Sequence, residues 1–192
     1  MKLRHLSLFL SFFLLFSFNQ DLFAQDDAAQ KAMTEYMTPG KMHDMLAKKA
    51  GNWKGTIKLF MSPGAPPTVA ECTAVFEMIL GGRYMQSKYT SNVMGMPMQG
   101  LGLDGYDNGK KLFFSTWYDN MGTGVLLMQG RYDEAAKTLH LEGMSYDPVS
   151  GKEVKVRETL KQIKEGHEIM EMFMGSGAEE FKSMEVELIK TK

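Results

Sequence analysis

Cysteine is almost missing: Cys72 is the only one in 192 residues, so no internal disulfide can form and stability must come from a packed core. Long apolar runs are missing too. The longest, Leu6 to Phe18, is too short to cross a hydrocarbon layer of about 30 Å, so no membrane-spanning helix is expected. An excess of either charge is also lacking, with 22 Lys and Arg against 23 Asp and Glu. The cations are scattered among acids, without the basic stripe that displaces counterions from nucleic acid, and that partner class is excluded.

What is present begins with Lys2 and Arg4, the apolar run, and Ala24 before Gln25. That order of charge, hydrophobe and small residue describes a secretory signal peptide over residues 1–24. Its removal leaves 168 residues and moves the formal net charge from −1 to −2, one near-neutral domain. No cysteine lies at the cleavage point to carry a lipid anchor. The expected location is therefore outside the inner membrane, in the periplasm or the extracellular space.

Residues 25–37 read as a flexible, acidic, Ala-rich tail, and residues 38–192 as a single domain. Thr38, Pro39 and Gly40 resemble a helix start, and Met42, Met45, Leu46 and Lys49 share one helical face before Gly51 stops it. Strand character follows in runs such as Lys111 to Tyr118, Lys137 to Tyr146, Glu153 to Ile163 and Glu180 to Lys190. Tyr-Asp recurs at 106–107, 118–119, 132–133 and 146–147, and each pair precedes turn chemistry that an Asp side chain can cap. The intervals hold one strand and one tight turn, with no room for a crossover helix, so neighbouring strands must be antiparallel. About ten strands are counted, too many to stay open comfortably, and closure is the expected solution. The expected fold is therefore an all-β, antiparallel up-and-down barrel with a short N-terminal helix.

Alternation assigns inward rows: Val154, Val156 and Leu160, interrupted by Glu158; Met170, Met172 and Met174, with Glu168 as the odd one out; then Met184, Val186 and Leu188. Cys72 alternates with Ala70, Ala74, Phe76 and Met78, where a buried thiol acts as a small hydrophobe.

Gly51-Asn52-Trp53, at the start of the first strand, resembles the Gly-x-Trp arrangement of lipocalins. Further stretches are similar to a family of secreted bacterial proteins known as the domain of unknown function 1579. These are His43-x-x-Leu46, Leu80-Gly81-Gly82-Arg83, Gly95-x-Pro97-x-x-Gly100, Gly105-Tyr106-Asp107 and Trp117-x-Asp119-Asn120-Met121-Gly122-Thr123-Gly124. The resemblance runs from about Pro39 to Leu139 and implies a lipocalin-like barrel without implying a reaction. Lipocalins set an Arg of a late strand against the Trp; the last strand here offers Lys190.

Several motifs compete for a functional reading. Gly100, Gly102 and Gly105 match the dinucleotide fingerprint in spacing, but a strand follows them where a helix is required, so they read as glycines relieving a strand pair. Met94, Met96 and Met98 are soft ligands suited to Cu(I), and a single barrel histidine among His43, His140 and His167 could hold haem iron. Met abundance and the wide spacing of the histidines favour neither, so no metal or cofactor is expected. Ser176 lacks a nucleophile elbow, and Glu142 and Glu158 could form an inward carboxylate pair, which alternation alone does not establish. No catalytic residue is assigned.

The leading expectation is a non-enzymatic barrel enclosing a small hydrophobic molecule against Phe114, Trp117, Met170, Met172 and Met174, with His140 or Glu158 as polar anchor. The alternative is a filled barrel acting as a structural or interaction protein through the loops Ser62 to Pro67 and Ser91 to Met98.

Overall fold

The structure, a computed structural model, describes residues 27–191. The expected signal peptide lies outside the described residues. Residues 27–37 form a helix, α1, exposed along its length, where the sequence reading has only a tail. Ala28, Ala29, Lys31, Ala32, Met33 and Glu35 favour helix intrinsically, and Lys31 stands 4.0 Å from Glu35 one turn on. The Thr38 hydroxyl donates to the Thr34 carbonyl at 2.6 Å.

A separate compact unit starts at Pro39. Its helix α2 (Lys41–Ala47) is shorter than the three turns expected and begins after Gly40, whose extended backbone serves as N-cap in place of Thr38. His43 Nδ1 accepts the Gly40 N–H at 3.1 Å, and His43 and Leu46 are both buried. The His43-x-x-Leu46 pattern is thus a device that starts the helix and docks it.

Ten strands follow: β1 (Gly51–Leu59), β2 (Thr68–Ile79), β3 (Tyr84–Val93), β4 (Met96–Asp107), β5 (Leu112–Asp119), β6 (Leu126–Asp133), β7 (Thr138–Asp147), β8 (Lys152–Lys164), β9 (His167–Met174) and β10 (Phe181–Lys190). Each pairs antiparallel with its sequence neighbour, and β1 pairs with β10 to close the barrel. Closure removes every free edge. The four Tyr-Asp pairs end β4, β5, β6 and β7, and the carboxylates cap the turns as expected. Asp107 Oδ1 accepts from Gly109 and Lys110, Asp119 Oδ1 from Met121, Asp133 Oδ1 from Ala135 and Ala136, and Asp147 Oδ1 from Val149.

The pleat sends alternate residues inside. Helix α2 packs on β2, β3 and β4 at the end where β1 begins, and plugs that mouth with Leu46, which joins the core cluster that holds Trp53 and Phe76. Trp53 is 3% exposed and donates its Nε1 proton to the Lys49 carbonyl at 2.8 Å. Lys190, opposite Trp53 in register, holds its ammonium 5.8 Å from the indole centroid and donates to the Lys48 carbonyl. Lysine here takes the place of the lipocalin arginine, with cation–π attraction and a helix-end carbonyl as partners.

A chain of edge-to-face rings runs on from Trp53 through Phe76 and Tyr89 to Trp117, with centroids 5.8, 5.8 and 5.3 Å apart. Gly100 and Gly102 form the bed of Trp117, and a Cβ on Gly100 would fall inside its indole. The fingerprint glycines thus make room for a ring rather than for a phosphate. Trp117 Nε1 donates to Asp119 Oδ2 at 2.7 Å, while Asn120 accepts the Gln99 N–H and donates to the Pro97 carbonyl. The two longest family motifs therefore interlock side by side at the mouth away from α2.

Gly100→Ala should cost about 1–3 kcal/mol by overpacking against Trp117. Urea unfolding followed by tryptophan fluorescence measures it, and an unchanged midpoint would show that the indole does not rest on Gly100.

Candidate functional site

Ten inward rows meet in an interior that is largely apolar and holds a few charged groups. Cys72, Ala74, Phe76, Met85, Phe113, Met128, Leu141, Val156, Val186 and Leu188 are buried. Met170, Met172, Met174 and Met184 pack against them and remain partly exposed. Because these methionines point inward from a closed sheet, their accessible surface belongs to the interior. Burial pushes the Cys72 thiol up to about 11, which leaves it protonated and inert.

Lys49, Glu168, Asp104, Glu158 and Tyr89 are among the polar side chains that enter this space. Lys49, just after α2, extends its ammonium past Phe76, 5.1 Å from the ring centroid, to within 3.0 Å of Glu168 Oε2. Both side chains are close to nine-tenths buried, and their contact is an ion pair without an aligned hydrogen bond. Burial alone would lower the Lys49 pKa; Glu168, Asp104 and Glu158 together outweigh it and hold the amine above its ordinary value.

Asp104 on β4 accepts the Ser115 hydroxyl, and burial raises its pKa against the opposing pull of Lys49. Glu158 on β8 lies opposite Met172 in register. Burial, then the charge of Asp104, pushes it up to about 7 despite Lys49. Tyr89 completes the group, its phenol held well above the usual range by burial and by the same carboxylates.

The structure redistributes the residues expected from sequence. Trp117, Glu158, Met170, Met172 and Met174 share the interior. Phe114 and His140 do not. Phe114 has the opposite parity to buried Phe113 and packs outside over Gly105 and Tyr84. His140 lies exposed between the inward Leu139 and Leu141. The Glu142–Glu158 pair is corrected likewise: Glu142 faces out and pairs with Lys155 at 2.8 Å, and the carboxyl beside Glu158 is Asp104.

Sequence reasoning missed Asp104, Lys49 and Tyr89 and set Glu168 aside. The signals were present, in a lysine on the apolar face of the helix and an acid in line with the methionine row.

His43 is in the α2 cap, and His167 bonds Glu187 on the outer face at 2.7 Å, so the histidines stay apart. Met94 sits in a left-handed turn and Met96 is exposed, while Met98 packs on the core. Among the described residues no three His, Cys, Asp or Glu side chains converge as metal ligands would.

Lys49→Met should destabilise the barrel by about 3–5 kcal/mol, because it strands Glu168 as a buried charge. Lys49→Met with Glu168→Leu should recover most of that loss in chemical denaturation; equal losses in the single and double variants would deny the coupling.

Glu158 gives a pH signature of its own. Its folded-state pKa lies above the unfolded value of 4.5, so ionisation works against the folded state as pH rises through that interval. Glu158→Gln should then be more stable than wild type at about pH 8, with the advantage shrinking as pH falls toward about 4.5. A gap independent of pH would mean that Glu158 titrates normally.

Comparison with known proteins agrees with this architecture. A search of the curated proteins finds no match. Among solved structures, the "Crystal Structure of Rv2717c from M. tuberculosis" superposes with a TM-score of 0.60 at 15% identity, covering 81% of this chain and all of that one, a likeness of fold. A family model matches residues 38–190, the whole barrel with its plugging helix, and the chain therefore belongs to the family described as "Protein of unknown function (DUF1579)".

Proposed function

We propose that this protein is exported and that its barrel binds a small, mainly apolar molecule, without a reaction of its own. One observation carries the reading: Met170, Met172, Met174, Trp117 and Glu158 all point inward and all retain accessible surface. Barrel width grows with strand number, and about eight strands already leave an interior that side chains just fill or that holds one small ligand. Ten strands leave more. Unbranched methionines and an aromatic face suit a guest of irregular apolar shape, since thioethers adapt to what they touch. Helix α2 closes one mouth, so the guest enters at the other, beside the Trp117 and Asn120 motifs. Export is supported by the charge, apolar run and Ala24 of residues 1–24.

One preparation tests both parts. The full chain is expressed with its own N-terminus in a bacterial host and recovered from the periplasm or medium, then examined by intact mass and by mass spectrometry of its organic extract. The expected results are a mature start at Gln25 and a small molecule enriched over a mock preparation and depleted in Met172→Trp, which fills the interior. Retention of residues 1–24 in the cytoplasm sinks export, and equal extracts from both variants sink interior binding.

A further inference from the structure

The interior polar group is unbalanced. Asp104, Glu158 and Glu168 enter from β4, β8 and β9, and all three act on a single ammonium, that of Lys49. That cation is committed, 3.0 Å from Glu168. Asp104 has the Ser115 hydroxyl. Glu158 is seen in no hydrogen bond among the described residues, and its side chain keeps some accessible surface inside the barrel. Glu168, 8% exposed, also leaves Oε2 without an aligned donor.

A carboxyl group placed inside a protein without donors is costly and is ordinarily partnered. Its surroundings select the kind of partner. Met172 lies opposite it, Met170 and Met174 flank that position, and the Tyr89 and Trp117 rings, also inward, meet edge-to-face with centroids 5.3 Å apart. Thioether sulfur and aromatic faces are both electron-rich and attract cations. The same walls repel an anionic head, which would also meet three carboxyls.

We propose that the ligand carries a protonated nitrogen on its apolar body, an ammonium or amidinium, which pairs with Glu158 and has Asp104 behind it. The inference rests on the interior-binding reading and specifies the chemistry of the guest. Binding is linked to protons: the ligand cation requires Glu158 ionised, so affinity rises with pH while the ligand itself stays protonated. The charged groups that act on Glu158 are Asp104 from β4 and Lys49 from the α2–β1 link, and the Tyr89 phenol on β3 registers its charge in turn. Of these only Lys49 opposes the carboxyl charges, and Glu168 already holds it.

Three probes of equal chain length separate the outcomes: dodecylamine, dodecanol and dodecanoate. They are titrated below their aggregation limits into the mature protein, and binding is read from the fluorescence of Trp53 and Trp117, the two tryptophans present, and by calorimetry. At about pH 8 the amine should bind at least about tenfold more tightly than the alcohol, and the acid more weakly than either. Glu158→Gln should abolish the amine's advantage and leave dodecanol unchanged, and lowering the pH to about 5.5 should shrink that advantage in wild type. Asp104→Asn serves as the second variant if Glu158→Gln does not fold, with a smaller loss in the same direction. Dodecanol or dodecanoate binding wild type as tightly as dodecylamine overturns the cation and leaves interior binding standing. No binding by any of the three overturns both.

Discussion

Closure of β1 onto β10 is the constraint from which the rest follows. The pairing runs from Trp53 opposite Lys190 to Leu59 opposite Met184 and joins chain segments more than a hundred residues apart. Once it forms, every strand has two partners and every second side chain points into a shared interior. An open ten-strand sheet could face water on one side; a closed one must fill the enclosed space or admit something to it. Helix α2, the Trp53-to-Trp117 ring chain and the methionine rows are the filling. They run the length of the barrel, and among them the inward methionines, Trp117 and Glu158 keep accessible surface.

The Lys49–Glu168 pair stands among that filling. A buried ion pair is weak evidence for stability, since apolar residues of similar volume often do as well. What the pair does here is positional. It ties the α2–β1 link to β9 and brings an ammonium far enough inside to act on Asp104 and Glu158. Without that charge Glu158 and Asp104 would shift further toward the neutral acid, because the burial of both is opposed mainly by Lys49. The helix that plugs the barrel therefore also sets the protonation balance of its interior.

How far this was legible in the sequence depends on how local each feature is. The Tyr-Asp turns could be read directly, because an Asp that caps its own turn involves residues only two or three apart. The inward methionine row could be read from parity along one strand. Phe114 could not: Phe113 and Phe114 are adjacent and equally apolar, and only the pairing of β5 with β4 and β6 decides which enters. His140 is a related case, since its alternation with buried Leu139 and Leu141 places the ring outside, away from the polar-anchor role expected of it. The meeting of Asp104, Glu158 and Glu168 was out of reach, because it depends on register carried around the barrel through several strand pairs. The helix over residues 27–37 was missed because composition, without apolar periodicity, was taken as absence of structure.

The outer surface supplies the contrast that gives the interior its meaning. Outside, several acids and bases are paired: Glu142 with Lys155, Glu180 with Arg157, Glu185 with Lys58 and Lys182, Glu171 with Lys182. Exposed pairs like these contribute little to stability, and water would solvate the same charges if they were separated. Inside, by contrast, three carboxyls share one ammonium, and imbalance costs most there. Sequences that fold well keep such local conflicts few, and those that persist concentrate at functional sites. Glu158 is such a conflict, an acid in line with Val156 and Leu160 and facing methionine. A packed core would have no use for it, whereas an interior that receives a cationic guest requires an acid at that depth.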